Sequence, residues 1–336
     1  MRTFYSDHQS GHAPSVELQN GALVLHAESA ERVDAIKRVL PKLEAAKDFG
    51  LDPILAVHDA DYVDFLRRAY TDWAIAGRPG DAFPYVFPIR SRRPLNLKRI
   101  DAELGRYAYD CGTPVAPGTW DAVYWSAQTA LTSLEAVITS GEAAFAFCRP
   151  PGHHAGRDYM GGYSYLNAAA IAAEQALNSG AETVAVLDVD YHHGNGTQDI
   201  FYGRNDVLTI SLHADPSMDY PFYWGHADET GQNAGDGYNL NLPMARGTEW
   251  PAYRGQLAAA IELLQAFAPD VLIVPFGADT YIKDPISFFA IETADYTSMA
   301  RMIADLGLPT LICMEGGYAV DDLGANVAAF LNGFSA

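Results

Sequence analysis

The chain has 336 residues, with 22 Lys plus Arg against 42 Asp plus Glu and a formal net charge of −20. That excludes a generic nucleic-acid binder, because phosphate contacts need a basic face, and 49% hydrophobic with 19% charged residues excludes a disordered chain. The acidic balance suits a cationic small substrate as well as simple solvation, and with no run approaching about 18 apolar residues no membrane partner is expected.

The first residues, Met1-Arg2-Thr3-Phe4-Tyr5-Ser6-Asp7-His8, hold no apolar run with a small-residue cleavage site, so a cytoplasmic protein is expected. Two helices are predicted next: Ser29–Leu40, ended by Pro41, and Asp59–Trp73, with Tyr62, Phe65, Leu66, Ala69 and Trp73 on one face. From about 77 to 118 the composition shifts to six prolines, an Arg90-Ser91-Arg92-Arg93 cluster and aromatics without period. A loop of that length in a compact domain reads as functional or part of an interface, a long insertion in a single domain. Beyond it, apolar runs predict strands at Ala143–Cys148, Thr183–Leu187, Val207–Leu212, Tyr238–Leu242, Val271–Phe276 and Pro309–Met314. Helices are predicted between them at Trp120–Thr139, Leu166–Asn178, Glu249–Phe267 and from an N-cap at Thr293 to Leu306. Strands alternating with crossover helices give an α/β fold with a parallel sheet covered on both faces.

Ligands of such sheets bind beyond the carboxyl ends of the strands. Those ends carry Arg149-Pro150-Pro151-Gly152-His153-His154, Asp188-Val189-Asp190-Tyr191-His192-His193, Ser211-Leu212-His213, Gly277-Ala278-Asp279 and Glu315-Gly316-Gly317-Tyr318. Asp190 and His192 alternate with Tyr191, so in extended backbone they share a side about 6 to 7 Å apart. With Asp279 they form a two-carboxylate, one-imidazole set that suits Zn²⁺, or Fe²⁺, with a position left open for water. Taken singly, each Asp reads better as a helix cap and each His as a partner of a loop carbonyl, and only their cluster reverses that. His153 and His154 follow a rigid turn where one imidazole could take a proton while the other is polarised by a carboxylate. Tyr318 could offer its hydroxyl to an oxyanion, or anchor a loop. Cys111, Cys148 and Cys313 are far apart and outside any CxxC pair, so no disulfide framework or thiolate zinc site is indicated.

The strings RPPGHHA (149–155), GGYSYLNAAA (161–170), LDVDYHHGNGTQDIFY (187–202), ISLHADP (210–216), FGADTYIKDP (276–285) and MEGGY (314–318) resemble the histone deacetylase superfamily. The N-terminal FYSDHQ, the 77–118 insertion with PGTWDA, and DPISFF are most similar to its bacterial acetylpolyamine amidohydrolases. The resemblance implies the arginase–deacetylase fold and hydrolysis of acetylated polyamines or diamines. Alternatives are acetyl-lysine peptides or other acylated amines as substrates, or a non-catalytic acyl-ligand binder. An arginase-like binuclear enzyme would need further Asp and His ligands.

By the same resemblance Asp190, His192 and Asp279 match the metal ligands, His154 the general base and acid, His153 its electrostatic partner and Tyr318 the residue that polarises the carbonyl. Asp188 matches the support of His153 and, with Asp190, His192, Ser211 and Leu212, a structural K⁺ or Na⁺ site; Phe201, Arg204, Val207 and Tyr238 match a second. Asn195 stands where some relatives carry an aspartate behind the second histidine. Gly162, Tyr163 and Tyr220 match the acyl channel, and Ile286 replaces an acidic gatekeeper. Glu17 and Asp101, with Asp110 as an outside candidate, resemble rim acids or are solvated surface carboxylates. A homodimer joined through the insertion is implied as well.

Overall fold

The computed structural model describes residues 1–40, 42–88, 95 and 97–334. The expected Pro41 stop and the Arg90–Arg93 cluster lie outside those residues. Among the described residues eight parallel strands form one sheet: β1 (Arg2–Tyr5), β4 (Glu44–Ala45), β5 (Ala144–Ala146), β6 (Val184–Asp188), β7 (Val207–Ala214), β8 (Asn239–Met244), β9 (Val271–Phe276) and β10 (Thr310–Met314). Their order is β4-β1-β5-β10-β9-β6-β7-β8, and β2 (Val16–Gln19) with β3 (Ala22–Leu25) makes a separate antiparallel hairpin.

Side chains alternate between two cores, as period-2 strands require. Val184, Val186, Ile273, Leu311 and Cys313 face one core; Ala185, Leu187, Leu272, Val274, Ile312 and Met314 face the other. The first face is covered by α2 (Asp52–Leu55), α3 (Ala60–Ile75), α4 (Ile100–Tyr107), α5 (Thr119–Ser140), α6 (Ala168–Asn178) and α7 (Asn195–Phe201). The second is covered by α1 (Glu31–Lys37), α8 (Trp250–Phe267), α9 (Thr293–Ala304) and α10 (Val320–Gly333). No described helix is long and apolar enough to cross a membrane.

Three expectations need correction. The helix expected over Ser29–Leu40 is regular only at Glu31–Lys37, because after it Val39 N–H and Leu40 N–H both bond Ile36 O in a tightened turn. Thr293 is not an N-cap: Glu292 caps α9 in a reciprocal box with Asp295, and the Thr293 hydroxyl goes to Asn326 Oδ1 at 2.7 Å. The 77–118 segment is not structureless, since it contains α4, whose Ile100, Leu104 and Tyr107 are buried at helical spacing. Trp73 is only partly buried on the α3 face.

Candidate active site and metal centre

The strand order answers what spacing alone could not. β5, β10, β9, β6 and β7, the five strands whose ends carry the unusual polar residues, are five consecutive neighbours. Their carboxyl ends therefore open on one crevice.

Asp188 ends β6, and Asp190 and His192 follow in the loop to α7. Backbone amides fix each carboxylate: Asp188 Oδ1 accepts from Asp190 N (3.1 Å), Asp190 Oδ2 from Gly316 N (2.9 Å) and Asp279 Oδ1 from Tyr191 N (3.0 Å). Ligand atoms of Asp190, His192 and Asp279 lie within 4.8 Å of one another. Two glycines make room. A Cβ on Gly277 would stand 1.9 Å from Asp190 Oδ2, and one on Gly316 would stand 2.6 Å from Asp279 Oδ2. His192 Nδ1 is 3.0 Å from Asp279 Oδ2 and 3.4 Å from Asp190 Oδ1. Burial and the neighbouring Asp190 charge push Asp279 up to about 7. Burial disfavours the His192 imidazolium, but its hydrogen bonds to both carboxylates outweigh that and raise it to about 10. Two buried carboxylates that crowd one another and an imidazole aimed between them fit a divalent cation.

The His153-His154 turn is held from below. Glu315 Oε2 accepts from Gly152 N (2.6 Å) and His153 N (3.2 Å). His153 Nδ1 is 2.9 Å from Asp188 Oδ2. Burial opposes its charge, yet Asp188 and Asp190 together raise it to about 10, which favours the imidazolium. His154 behaves oppositely: burial, with positive His153 and His192 nearby, holds it well below the usual histidine range. Its Nδ1 is 2.7 Å from Asn195 Oδ1, an acceptor, which places the proton on Nδ1 and a lone pair on Nε2.

A cavity of ≈ 270 Å³ opens above these groups and is lined by His154, His192 and Tyr318. Tyr163, Tyr220, Gly162 and Ile286 line it too, as do Glu17 from β2 and Asp110 from the insertion. Asp110 Oδ2 accepts from Gly162 N (2.7 Å) and from the Tyr220 hydroxyl (2.8 Å). Glu17 is 3% exposed and its Oε2 has no hydrogen-bond partner among the described residues. Burial pushes Glu17 up to about 7, against the Tyr163 hydroxyl. Asp101 is not on this wall: its carboxylate lies between Arg99 and Arg78, 3.0 Å from the latter. Its place goes to Asp110, because the chain leaves α4 paired with Met160 and carries residues 110–112 to the cavity.

Asp188 and Ser211 are register partners on β6 and β7, with Leu212 next on β7. The Phe201 carbonyl accepts from Arg204 N (2.9 Å), and that of Tyr238 from both Thr209 N (3.0 Å) and the Thr209 hydroxyl (3.5 Å). Sequence reasoning missed Asp284, whose Oδ2 accepts the Tyr318 N–H at 2.7 Å and whose Oδ1 accepts that of Ile286 at 3.1 Å. The Pro after it, which bends the chain beside the channel, was the available signal.

The Histone deacetylase domain family matches residues 26–334. The chain belongs to that family. Members of the histone deacetylase family are metal-dependent, and among the described residues Asp190, His192 and Asp279 are the group that could hold the ion. Acetylpolyamine amidohydrolase 2 of Pseudomonas aeruginosa is 47% identical, covering 99% of this chain and 98% of its own. The acetylpolyamine amidohydrolase of Mycoplana ramosa is 41% identical over 99% of each chain. The crystal structure of acetylpolyamine aminohydrolase from Burkholderia pseudomallei matches with a TM-score of 0.94 and 42% identity, covering 100% of this chain and 99% of that one. The arginase–deacetylase architecture expected for this deacetylase is thus the one observed.

Proposed function

We propose that the chain is an amidohydrolase that removes acetyl groups from acetylated polyamines or diamines, releasing acetate and the free amine, with Zn²⁺, or Fe²⁺ in its place, at the metal centre. The observation that carries the substrate class is Glu17, a buried carboxylate with no partner at Oε2 among the described residues, on the wall of the same cavity as His154 and Tyr318. Full-length likeness to acetylpolyamine amidohydrolases supports the same substrate.

A divalent cation held by Asp190, His192 and Asp279 would supply Lewis acidity toward the amide carbonyl and the attacking water. His154 takes the proton of that water at Nε2 and later returns it to the departing nitrogen. Tyr318 donates its hydroxyl hydrogen to the carbonyl oxygen as negative charge develops there. His153, held cationic by Asp188, stabilises the same charge from the opposite side and keeps His154 neutral until it is needed. Tyr163 and Tyr220 grip the methylene chain and keep bulk water out. Glu17 and Asp110 take the distant ammonium.

Asp188, Ser211 and the carbonyls of Asp190, His192 and Leu212 would hold a structural K⁺ or Na⁺; the carbonyls of Phe201, Arg204, Val207 and Tyr238 would hold a second. Exposed Tyr85, Val86, Phe87 and Leu95 in the insertion support a homodimer joined there. Light scattering tests that assembly: an active monomer would remove it.

The substrate is tested by kcat/KM of the zinc-loaded protein on acetylputrescine, acetylcadaverine and acetylspermidine beside an acetyl-lysine peptide. Preference for the free amines is expected. Equal or better peptide turnover would move the assignment to a peptide deacetylase.

A further inference from the structure

The reading of His154 as the base requires its proton on Nδ1 and its lone pair on Nε2. The partner that decides this is not a carboxylate but the amide of Asn195. An amide can present either end. With Oδ1 toward His154 the lone pair faces the cavity, whereas with Nδ2 toward it the imidazole would be forced to carry its proton on Nε2 and could accept nothing there. Something must therefore orient Asn195.

All four valences of that amide are directional. Oδ1 accepts from His154 Nδ1 at 2.7 Å, and the Tyr109 hydroxyl, which also meets that of Tyr220, lies 3.4 Å from it. Nδ2 donates to the His154 carbonyl and to the Tyr159 hydroxyl oxygen, both at 3.4 Å. Tyr159 can accept from Asn195 because its own hydrogen is committed elsewhere, to Asp199 Oδ2 at 2.6 Å. Asp199 is one turn after Asn195 on α7, an i, i+4 pair that Tyr159 bridges. A carboxylate accepts only, so through Tyr159 it adds to the His154 carbonyl, which also only accepts, in turning Asn195 Nδ2 away from the imidazole.

We propose that Asp199 and Tyr159 are positioning residues: acting through the Asn195 amide, they fix the tautomer of His154 with its Nε2 lone pair toward the reacting centre. The hydrogen-bond chain runs His154 Nδ1–H to Asn195 Oδ1, Asn195 Nδ2–H to Tyr159 oxygen, and Tyr159 O–H to Asp199. It reaches the protein surface at Asp199, which is exposed.

This inference rests on the proposed role of His154 as base, so its test has a readout independent of turnover. Long-range ¹H–¹⁵N correlation on histidine-labelled protein should show His154 as the Nδ1–H tautomer, and Tyr159→Phe should introduce the Nε2–H form. Kinetically, Tyr159→Phe should lower kcat by about 10-fold with KM unchanged, a fraction of what a fully misplaced tautomer costs. The decisive arm is Asn195→Asp, in which residue 195 accepts at both oxygens and needs no orientation. In that background Tyr159→Phe should change neither the tautomer nor kcat. An Nε2–H tautomer in the parent protein, a parent-like Tyr159→Phe, or an equal loss in the Asn195→Asp background would overturn the inference. Should no acetylated amine be turned over at all, the NMR result still decides it while the substrate assignment falls separately.

Discussion

Asp284 and Tyr318 are joined by one hydrogen bond: the carboxylate Oδ2 accepts the tyrosine backbone N–H at 2.7 Å. Its other oxygen accepts from Ile286 N at 3.1 Å, so one buried side chain sets both Tyr318, the proposed oxyanion donor, and Ile286 on the cavity wall. Asp284→Asn would turn a donor toward one of those two amides. The expected cost is about 10-fold in kcat, or ~1.4 kcal/mol, from a displaced hydroxyl. Steady-state kinetics check it, and an unchanged kcat would show that Tyr318 is held by other means.

Removing the hydroxyl itself should cost more. Tyr318→Phe keeps the ring, which packs 5.6 Å from Tyr163 and 5.1 Å from the Arg32 guanidinium carbon. The loss is that of an oxyanion donor, roughly 10²-fold or more in kcat. A near-parental rate would remove Tyr318 from the chemistry.

Gly162 has φ +54, and a Cβ there would stand 2.2 Å from His154 Cδ2. Gly162→Ala must therefore push His154 or the Tyr163 wall aside, besides straining the backbone. Activity should fall by about 10²-fold, as for a misplaced reacting group, with a reduced melting temperature. Parental activity with the same fold would mean that His154 has slack which the packing does not suggest.

Much of this site is legible in sequence because buried parallel strands are apolar runs, so the polar residues that follow stand out. Asp188, Asp190, His192, Asp279 and Tyr318 were all found that way. The order of the strands was not legible, since pairing β6 to β9 across more than 80 residues leaves no local trace. Nor was the choice between Asp101 and Asp110. Both carboxylates lie in the proline-rich segment, and only the folded α4, with Tyr107 and Tyr109 paired to Met160, turns one to the arginines and the other to the cavity. β1, four residues long, was missed because it is too short for periodicity; α7 was missed because its two polar turns look like loop. α10 did carry Leu323, Val327, Phe330 and Leu331 at helical spacing, and could have been found.

Chelation should abolish activity, and added Zn²⁺ should restore it. It should also lower the melting temperature, since an ion bound only by the native state contributes about 2.7 kcal/mol at 100 times its Kd. Replacing Asp279 by Asn should remove most of that metal-dependent shift in differential scanning calorimetry. Full activity in excess chelator would contradict the assignment of the Asp190, His192 and Asp279 set.

Glu17 makes the acid side of the pH profile informative. Its carboxyl is pushed from the usual 4.5 to about 7 by burial, with the Asp110 charge adding to the rise and the Tyr163 hydroxyl opposing it. Below about 7 the free protein carries Glu17 protonated, without the charge an ammonium needs. kcat/KM for acetylputrescine should therefore fall as pH drops through 7, while kcat at saturation stays flatter, because a bound ammonium keeps Glu17 ionised. An acetylated alkylamine lacking the second nitrogen should show no such limb, and Glu17→Gln should lose it. Stability has the opposite pH sense. A carboxyl whose native value is raised favours the fold most below about 4.5 and loses that contribution as pH rises through 7. Glu17→Gln should accordingly melt near the parent at pH 4.5 and above it at pH 8. A parent and variant with parallel melting curves at both pH values, and the same kcat/KM profile on acetylputrescine, would place the ammonium site at Asp110 alone.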